Sequence, residues 1–159
     1  VDAVMSASAT GSTSATSVDR AGAAATGDLL LIGRRHVRSN NSWMHNAPRL
    51  VKGKPRHALQ MHPADLAARG LNDGAMVRVV SRVGAIEVAV ESTDDMRRGV
   101  VCLPHGFGHG MADTRLARAN AVVGPSYNDL TDAQFLDGPS GNAALNGLPV
   151  KVEAAEPAA

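Results

Sequence analysis

What most limits the fold of this chain is a series of short apolar runs, each halted by Gly, Pro or a polar turn. Leu29-Leu30-Leu31-Ile32 ends at Gly33, Ala58-Leu59-Gln60-Met61 at His62-Pro63, and Val100-Val101-Cys102-Leu103 at Pro104. Two more, 76–82 and 86–91, flank Val83-Gly84, and Leu148-Pro149-Val150-Lys151-Val152 closes the series. In Val77-Arg78-Val79 apolar and polar side chains alternate, the period of a strand with one buried face. Strands this short and Val-rich would leave adhesive edges in an open sheet, and closing the sheet on itself removes them. The expectation is a mainly β protein, a small barrel with one or two short helices.

The firmest helix follows His62. Pro63 suits the first helical turn, Asp65 complements the positive end of the dipole, and Gly70 stands where a left-handed cap is wanted. Residues 63–70 therefore predict a helix of about two turns. Residues 34–54 are polar and rich in Asn, Ser and Gly, so they predict a long loop, and loops of that length in compact domains usually carry function.

A length of 159 residues with 44% hydrophobic side chains suits one domain with a single core. The first 28 residues do not contribute to it. Twenty of them are Ala, Ser, Thr or Gly, too little apolar surface to repay the entropy of ordering. We expect a disordered linker at 1–27, a folded domain at 28–153 and a loose tail at 154–159. The linker lacks the basic start and apolar run of a secretory signal, which points to the cytoplasm. A start at Val1 rather than Met suggests a piece of a longer chain. A single Cys, Cys102, excludes an internal disulfide framework and any four-cysteine cluster, and its apolar neighbours mark it as a packed thiol. Aromatic residues, at 3%, are too few for the stacking surface of a single-strand nucleic-acid binder, and no run is long enough to span a bilayer.

The formal net charge of +1 conceals an asymmetry. Residues 29–60 hold seven basic side chains, Arg34, Arg35, Arg38, Arg49, Lys52, Lys54 and Arg56, and no acid; residues 61–159 hold eight basic and twelve acidic ones. A local excess of this kind attracts anions that the total would not. Within it, Gly33-Arg34-Arg35-His36-Val37-Arg38-Ser39-Asn40-Asn41-Ser42-Trp43-Met44-His45-Asn46 sets three guanidiniums and several amides directly after a strand. Guanidinium forks grip phosphate oxygens, and amides pair with heterocycle edges that both donate and accept. The combination suits a large phosphorylated ligand, although Asn and Ser also serve turns.

Leu103-Pro104-His105-Gly106-Phe107-Gly108-His109-Gly110 is a second concentration. His105 and His109 are four apart, but the glycines oppose a helix and no third close ligand is evident where zinc wants three or four. Glycines there would let backbone approach a flat ligand. Asn128-Asp129-Leu130-Thr131 and Gly138-Pro139-Ser140-Gly141-Asn142 form a third polar region, with Asp129 or Thr131 able to cap a helical turn. Trp43 and Tyr127 flank these loops and could stack on a ligand or cover core.

Taken in order, these stretches resemble the C-terminal molybdopterin-dinucleotide-binding domain of the large molybdenum or tungsten oxidoreductases, the family of formate dehydrogenases, nitrate reductases and dimethyl sulfoxide reductases. The matching features are the strand with Gly33-Arg34, the loop to Asn46, the block His62-Pro63 to Gly74, and Val77-Arg78-Val79. Arg82-Val83-Gly84, Gly99 to Gly106, Asn128 to Thr131 and the last strand complete them. The resemblance implies a double-psi β-barrel that binds molybdopterin guanine dinucleotide, usually two copies around one molybdenum or tungsten, held jointly with the other domains of a parent enzyme. It also implies cofactor contacts from Arg34, Arg35, Arg38, Asn40, Asn41 and Asn46 after the first strand, and from His105, Gly106, Asn128 and Asn142 on the barrel-side loops. No catalytic side chain and no metal ligand is assigned here, because the cofactor carries the redox chemistry and the isolated domain is expected to be inactive. The style of the 40–46 loop suggests a formate dehydrogenase-like parent.

Two other readings compete. A stand-alone double-psi barrel could bind a protein or nucleic acid, because one fold hosts many functions; an upstream reading frame rich in cysteines would speak for the enzyme. A small metal-dependent hydrolase using His105, His109 and another His is the third.

Overall fold

The computed structural model describes residues 29–110 and 113–156. The linker expected at 1–27 lies outside the described residues. Six strands form a closed barrel: β1 (Leu29–Arg34), β2 (Leu59–Met61), β3 (Met76–Val80), β4 (Ala85–Ser92), β5 (Val100–Pro104) and β6 (Leu148–Ala154). Three short helices, α1 (Pro48–Val51), α2 (Pro63–Ala67) and α3 (Ala117–Asn120), and one 3₁₀ turn (Tyr127–Leu130) decorate it.

Around the barrel the order is β1-β5-β2-β4-β3-β6. β1 pairs with β5 and β2 with β4 in parallel, while all other neighbours are antiparallel. A parallel pair cannot be joined by a hairpin, so each requires a crossover. Two such crossovers interlocked in one six-stranded barrel are the double-psi arrangement.

Alternation explains most of the core. Val77 and Val79 of β3, Ile86, Val88 and Val90 of β4, and Leu148, Val150 and Val152 of β6 point inward, with Arg78, Glu87, Glu91, Lys151 and Glu153 outward. Leu29, Leu31, Leu59, Met61, Val101 and Leu103 complete the interior. β5 departs from alternation and is buried from Val101 to Pro104. It lies between β1 and β2, where the Arg34 side chain crosses its outer side to the Cys102 carbonyl (2.7 Å).

The helix expected at 63–70 is real but shorter, ending at Ala67. His62 caps it, its Nδ1 accepting from the Ala64 amide (3.0 Å). Gly70 has φ +65°, the left-handed turn expected of it. Asp65 does more than favour the dipole: it is buried, and its Oδ2 accepts the Gly99 amide (2.6 Å) at the entrance to β5. α1 interrupts the loop expected at 34–54. β6 extends to Ala154 and the Ala155 amide donates to the Met76 carbonyl (3.1 Å), so the last ladder outruns the boundary expected at 153.

Register decides which loops meet. β1 and β5 run in parallel as far as Arg34 opposite Pro104, so the segments starting at Arg35 and His105 leave together. β6 is antiparallel to β1, with Leu148 opposite Leu31, so the residues before β6 reach the same end. β2 begins there too, because Gln60 faces Cys102 across an antiparallel pair. The turns around Gly74 and Gly99 lie at the other end, as do the beginning of β1 and the finish of β6.

Candidate functional site

At the end where these loops converge is a polar cleft of about 440 Å³, lined by Arg35, Asn41 and Ser42 from the segment after β1 and by His105, Gly106, Phe107 and His109 from the segment after β5. Ser126, Tyr127, Asn128 and Leu145 complete it. No carboxylate is among these residues. Arg35 is exposed and has no hydrogen-bond or ion-pair partner among the described residues. The Asn41 Oδ1 is buried without a partner, an orphaned acceptor in the cleft wall. Such an atom forfeits a hydrogen bond that a ligand can restore.

Local sequence builds this wall. Asn40 and Asn41 both take positive φ, 42° and 63°, where Asn is better tolerated than other side chains with a Cβ. Gly106, at φ +93°, lies so close to the Asn41 carbonyl carbon that a Cβ there would be 2.5 Å from it. Gly33 makes room for His105, whose Nε2 would be 2.0 Å from a Cβ at that position. The His105 ring packs on Tyr127 (centroids 3.9 Å) and is buried. Burial, and then the Arg35 charge, lower the His105 pKa from its ordinary 6.5, so the ring is neutral at pH 7. Burial pushes the Tyr127 hydroxyl up to about 12, and that hydroxyl donates to the Leu145 carbonyl.

Five of the ten expected site residues line the cleft: Arg35, Asn41, His105, Gly106 and Asn128. The others do not. Arg34 donates to the Cys102, Ala58 and Arg56 carbonyls (2.7, 2.8 and 3.3 Å), tying the end of β1 to β5 and to the approach to β2. Arg38 donates to the Arg49 carbonyl (2.8 Å). The Asn46 Oδ1 accepts from the Arg118 and Ala119 amides (3.0 and 3.4 Å) and so caps α3 from a distant part of the chain. Asn40 is exposed on its turn, and Asn142 is exposed in the loop closed by the Leu136–Ala143 bridge. The physical reason is common to the first three: a long segment outside the sheet has carbonyls and amides to satisfy, and the nearest long polar side chains satisfy them.

Sequence reasoning missed Ser42, Ser126, Leu145 and Asn146. The Asn146 Oδ1 accepts the Gly33 amide (2.7 Å), tying the segment before β6 to the end of β1 beside the cleft residue Leu145. Asn146-Gly147 directly before a strand was a turn signal that could have placed it. Trp43 is 80% exposed, whereas Tyr127 is core. His105 and His109 both line the cleft, but His109 is paired with His45, and no group of three or more His, Cys, Asp or Glu among the described residues could hold a metal ion. No helix among them is long and apolar enough to cross a membrane.

The sequence and the fold have counterparts in known proteins. The arsenate respiratory reductase molybdopterin-containing subunit of Chrysiogenes arsenatis is 30% identical over 131 residues, covering 78% of this chain and 15% of that protein. A tetrathionate reductase chain of Salmonella typhimurium is 28% identical, covering 67% and 12%. Biotin sulfoxide reductase of Cereibacter sphaeroides is 28% identical, covering 84% and 18%. The chain thus spans less than a fifth of the length of these relatives. Among solved structures, acetylene hydratase from Pelobacter acetylenicus superposes with a TM-score of 0.67 over 83% of this chain and 19% of its own, at 20% identity, a likeness of fold. The model of the Molydopterin dinucleotide binding domain family matches residues 29–149, and the chain belongs to that family.

Proposed function

We propose that the cleft binds the guanine dinucleotide form of molybdopterin, as one of two copies around a molybdenum or tungsten centre held jointly with the rest of a larger oxidoreductase. The observation that carries this reading is a polar cleft containing an unpaired guanidinium and an orphaned amide oxygen, with no carboxylate in its lining. The residues fit the group. Arg35 supplies charge for phosphate, the Asn41 Oδ1 accepts from a heterocycle N–H or a sugar hydroxyl, and Gly106 lets backbone approach. Asn128 adds an exposed amide, and His105, neutral at pH 7, offers one donor and one acceptor.

When bound, the cofactor supplies the electron transfer at its metal. This chain's residues bind and orient it, and the Arg34 and Asn46 bonds hold the segments that carry those residues. The named relatives are reductases of arsenate, tetrathionate and biotin sulfoxide, which favours an oxidoreductase parent without favouring a formate substrate.

Titrating the chain with GDP, the nucleotide half of the ligand, tests the site. The amides of Arg35, Asn41, Ser42, Gly106 and Asn128 should shift, and Arg35→Ala should weaken binding about tenfold, the 1.4 kcal/mol typical of a lost charged contact. Shifts confined to the turns around Gly74 and Gly99, at the other end of the barrel, would remove the assignment.

A further inference from the structure

Behind the cleft wall is a contact that phosphate binding does not require. The His45 Nδ1 lies 2.7 Å from the His109 Nε2, joining the segment after β1 to the segment after β5. His45 is 5% exposed, its ring packs on Phe107 (centroids 4.3 Å), and its Nε2 is buried without a partner. Neither strand ladder extends this far, so beyond Arg34 and Pro104 the two walls rely on such contacts and on the approach of Gly106 to Asn41.

We propose that His45 and His109 are positioning residues of the cleft: a latch between its two walls that holds while one proton lies between the rings and parts when both rings are protonated. With one proton between them, one nitrogen donates and the other accepts. With two, N–H faces N–H and both charges repel.

The surroundings favour opening only in acid. Arg38, Lys54 and Arg56 share with His45 the small apolar cavity beside it, which His36 also lines. Arg35 and His105 share the cleft with His109. His57 packs on Phe107 from the approach to β2. These basic groups oppose a second proton. Glu87 of β4 and Asp129 of the 3₁₀ turn line the neighbouring groove that His109 also lines. One extra proton on the pair still leaves a single N–H between the rings, and the latch stays shut. The second opens it. Burial, and then His109, lower the pKa of His45, with the Gly106 backbone opposing, so charge on that ring is resisted until the medium is acidic.

The latch is read in the ligand-free chain by following amide and imidazole signals from about pH 7.5 to about pH 4.5, the range in which histidines titrate. The Asn41, Ser42 and Gly106 amides should move together, in step with the imidazole signals of His45. In His109→Gln the amide oxygen can still accept from the His45 Nδ1–H but takes up no proton. Its walls should stay together and the acid transition should vanish, whereas His109→Ala should part them at both extremes. Stationary wall amides in the parent chain, or an unchanged transition in His109→Gln, would overturn the proposal. The consequence for the ligand rests on the proposed function: on acidification GDP affinity should fall about tenfold further in the parent chain than in His109→Gln, because protonation of the GDP phosphate itself is common to both. Failure of GDP to bind at neutral pH would count against the dinucleotide reading, while the amide titration would still decide the latch.

Discussion

At the scale of single residues, the strongest constraint is steric. Gly33 of β1 has no side chain, and the His105 ring occupies the space where a Cβ would stand. Gly33→Ala should expel that ring from Tyr127 and cost about 1–3 kcal/mol, the usual penalty for overpacking. Urea unfolding would measure the loss, and the Tyr127 ring-current shift on His105 should disappear with it. A variant of unchanged stability and shift would mean that the ring has room to move. The sequence showed a glycine after a strand and a histidine after another. It could not show that the two touch, because their proximity depends on the parallel β1–β5 register across 72 positions.

At the scale of elements, the basic segment divides into two kinds of arginine. Arg34, Arg38 and Arg56 donate to backbone carbonyls of residues 49–58 and 102, and Arg56 alone serves Leu50 and Lys52 (3.3 and 3.1 Å). Arg35 has no such duty. Replacing Arg34 by Met keeps the aliphatic stem but strands the carbonyls of Cys102 and Ala58, at about 1–3 kcal/mol for each group left unsatisfied. Amide exchange in residues 50–58 should accelerate in Arg34→Met by at least about tenfold, and in Arg35→Met it should not. Equal acceleration in both would mean that charge, not carbonyl capping, organises the segment. This division was not legible in the sequence. Seven basic residues without an acid read as one anion-binding surface, and only the carbonyl positions separate scaffold from site. The strands were legible: all six apolar runs became strands, because alternation and Gly-Pro punctuation are local signals.

At the scale of the whole molecule, three histidines resist protonation. Burial is the first cause at His45, His57 and His105, and all three lie below the ordinary 6.5. Below that value the unfolded chain takes up protons that the native chain refuses, so stability falls as pH drops. Asp132 does not offset this loss. The hydrogen bond from Arg82 lowers its pKa to about 2, so its contribution is constant until far more acidic conditions. The melting temperature should be lower at about pH 5 than at about pH 7.5. An equal or higher value in acid would show that the native state accommodates the imidazolium charges.

The strand directions carry one last consequence. β1 begins, and β6 finishes, at the end of the barrel opposite the cleft. Anything joined directly at Leu29 or at Ala154 is therefore attached at the base, like a lamp fixed at its foot. A barrel anchored to a surface directly at Leu29 or at Ala154 presents its cleft outward, and a fusion at either point should leave GDP access unchanged.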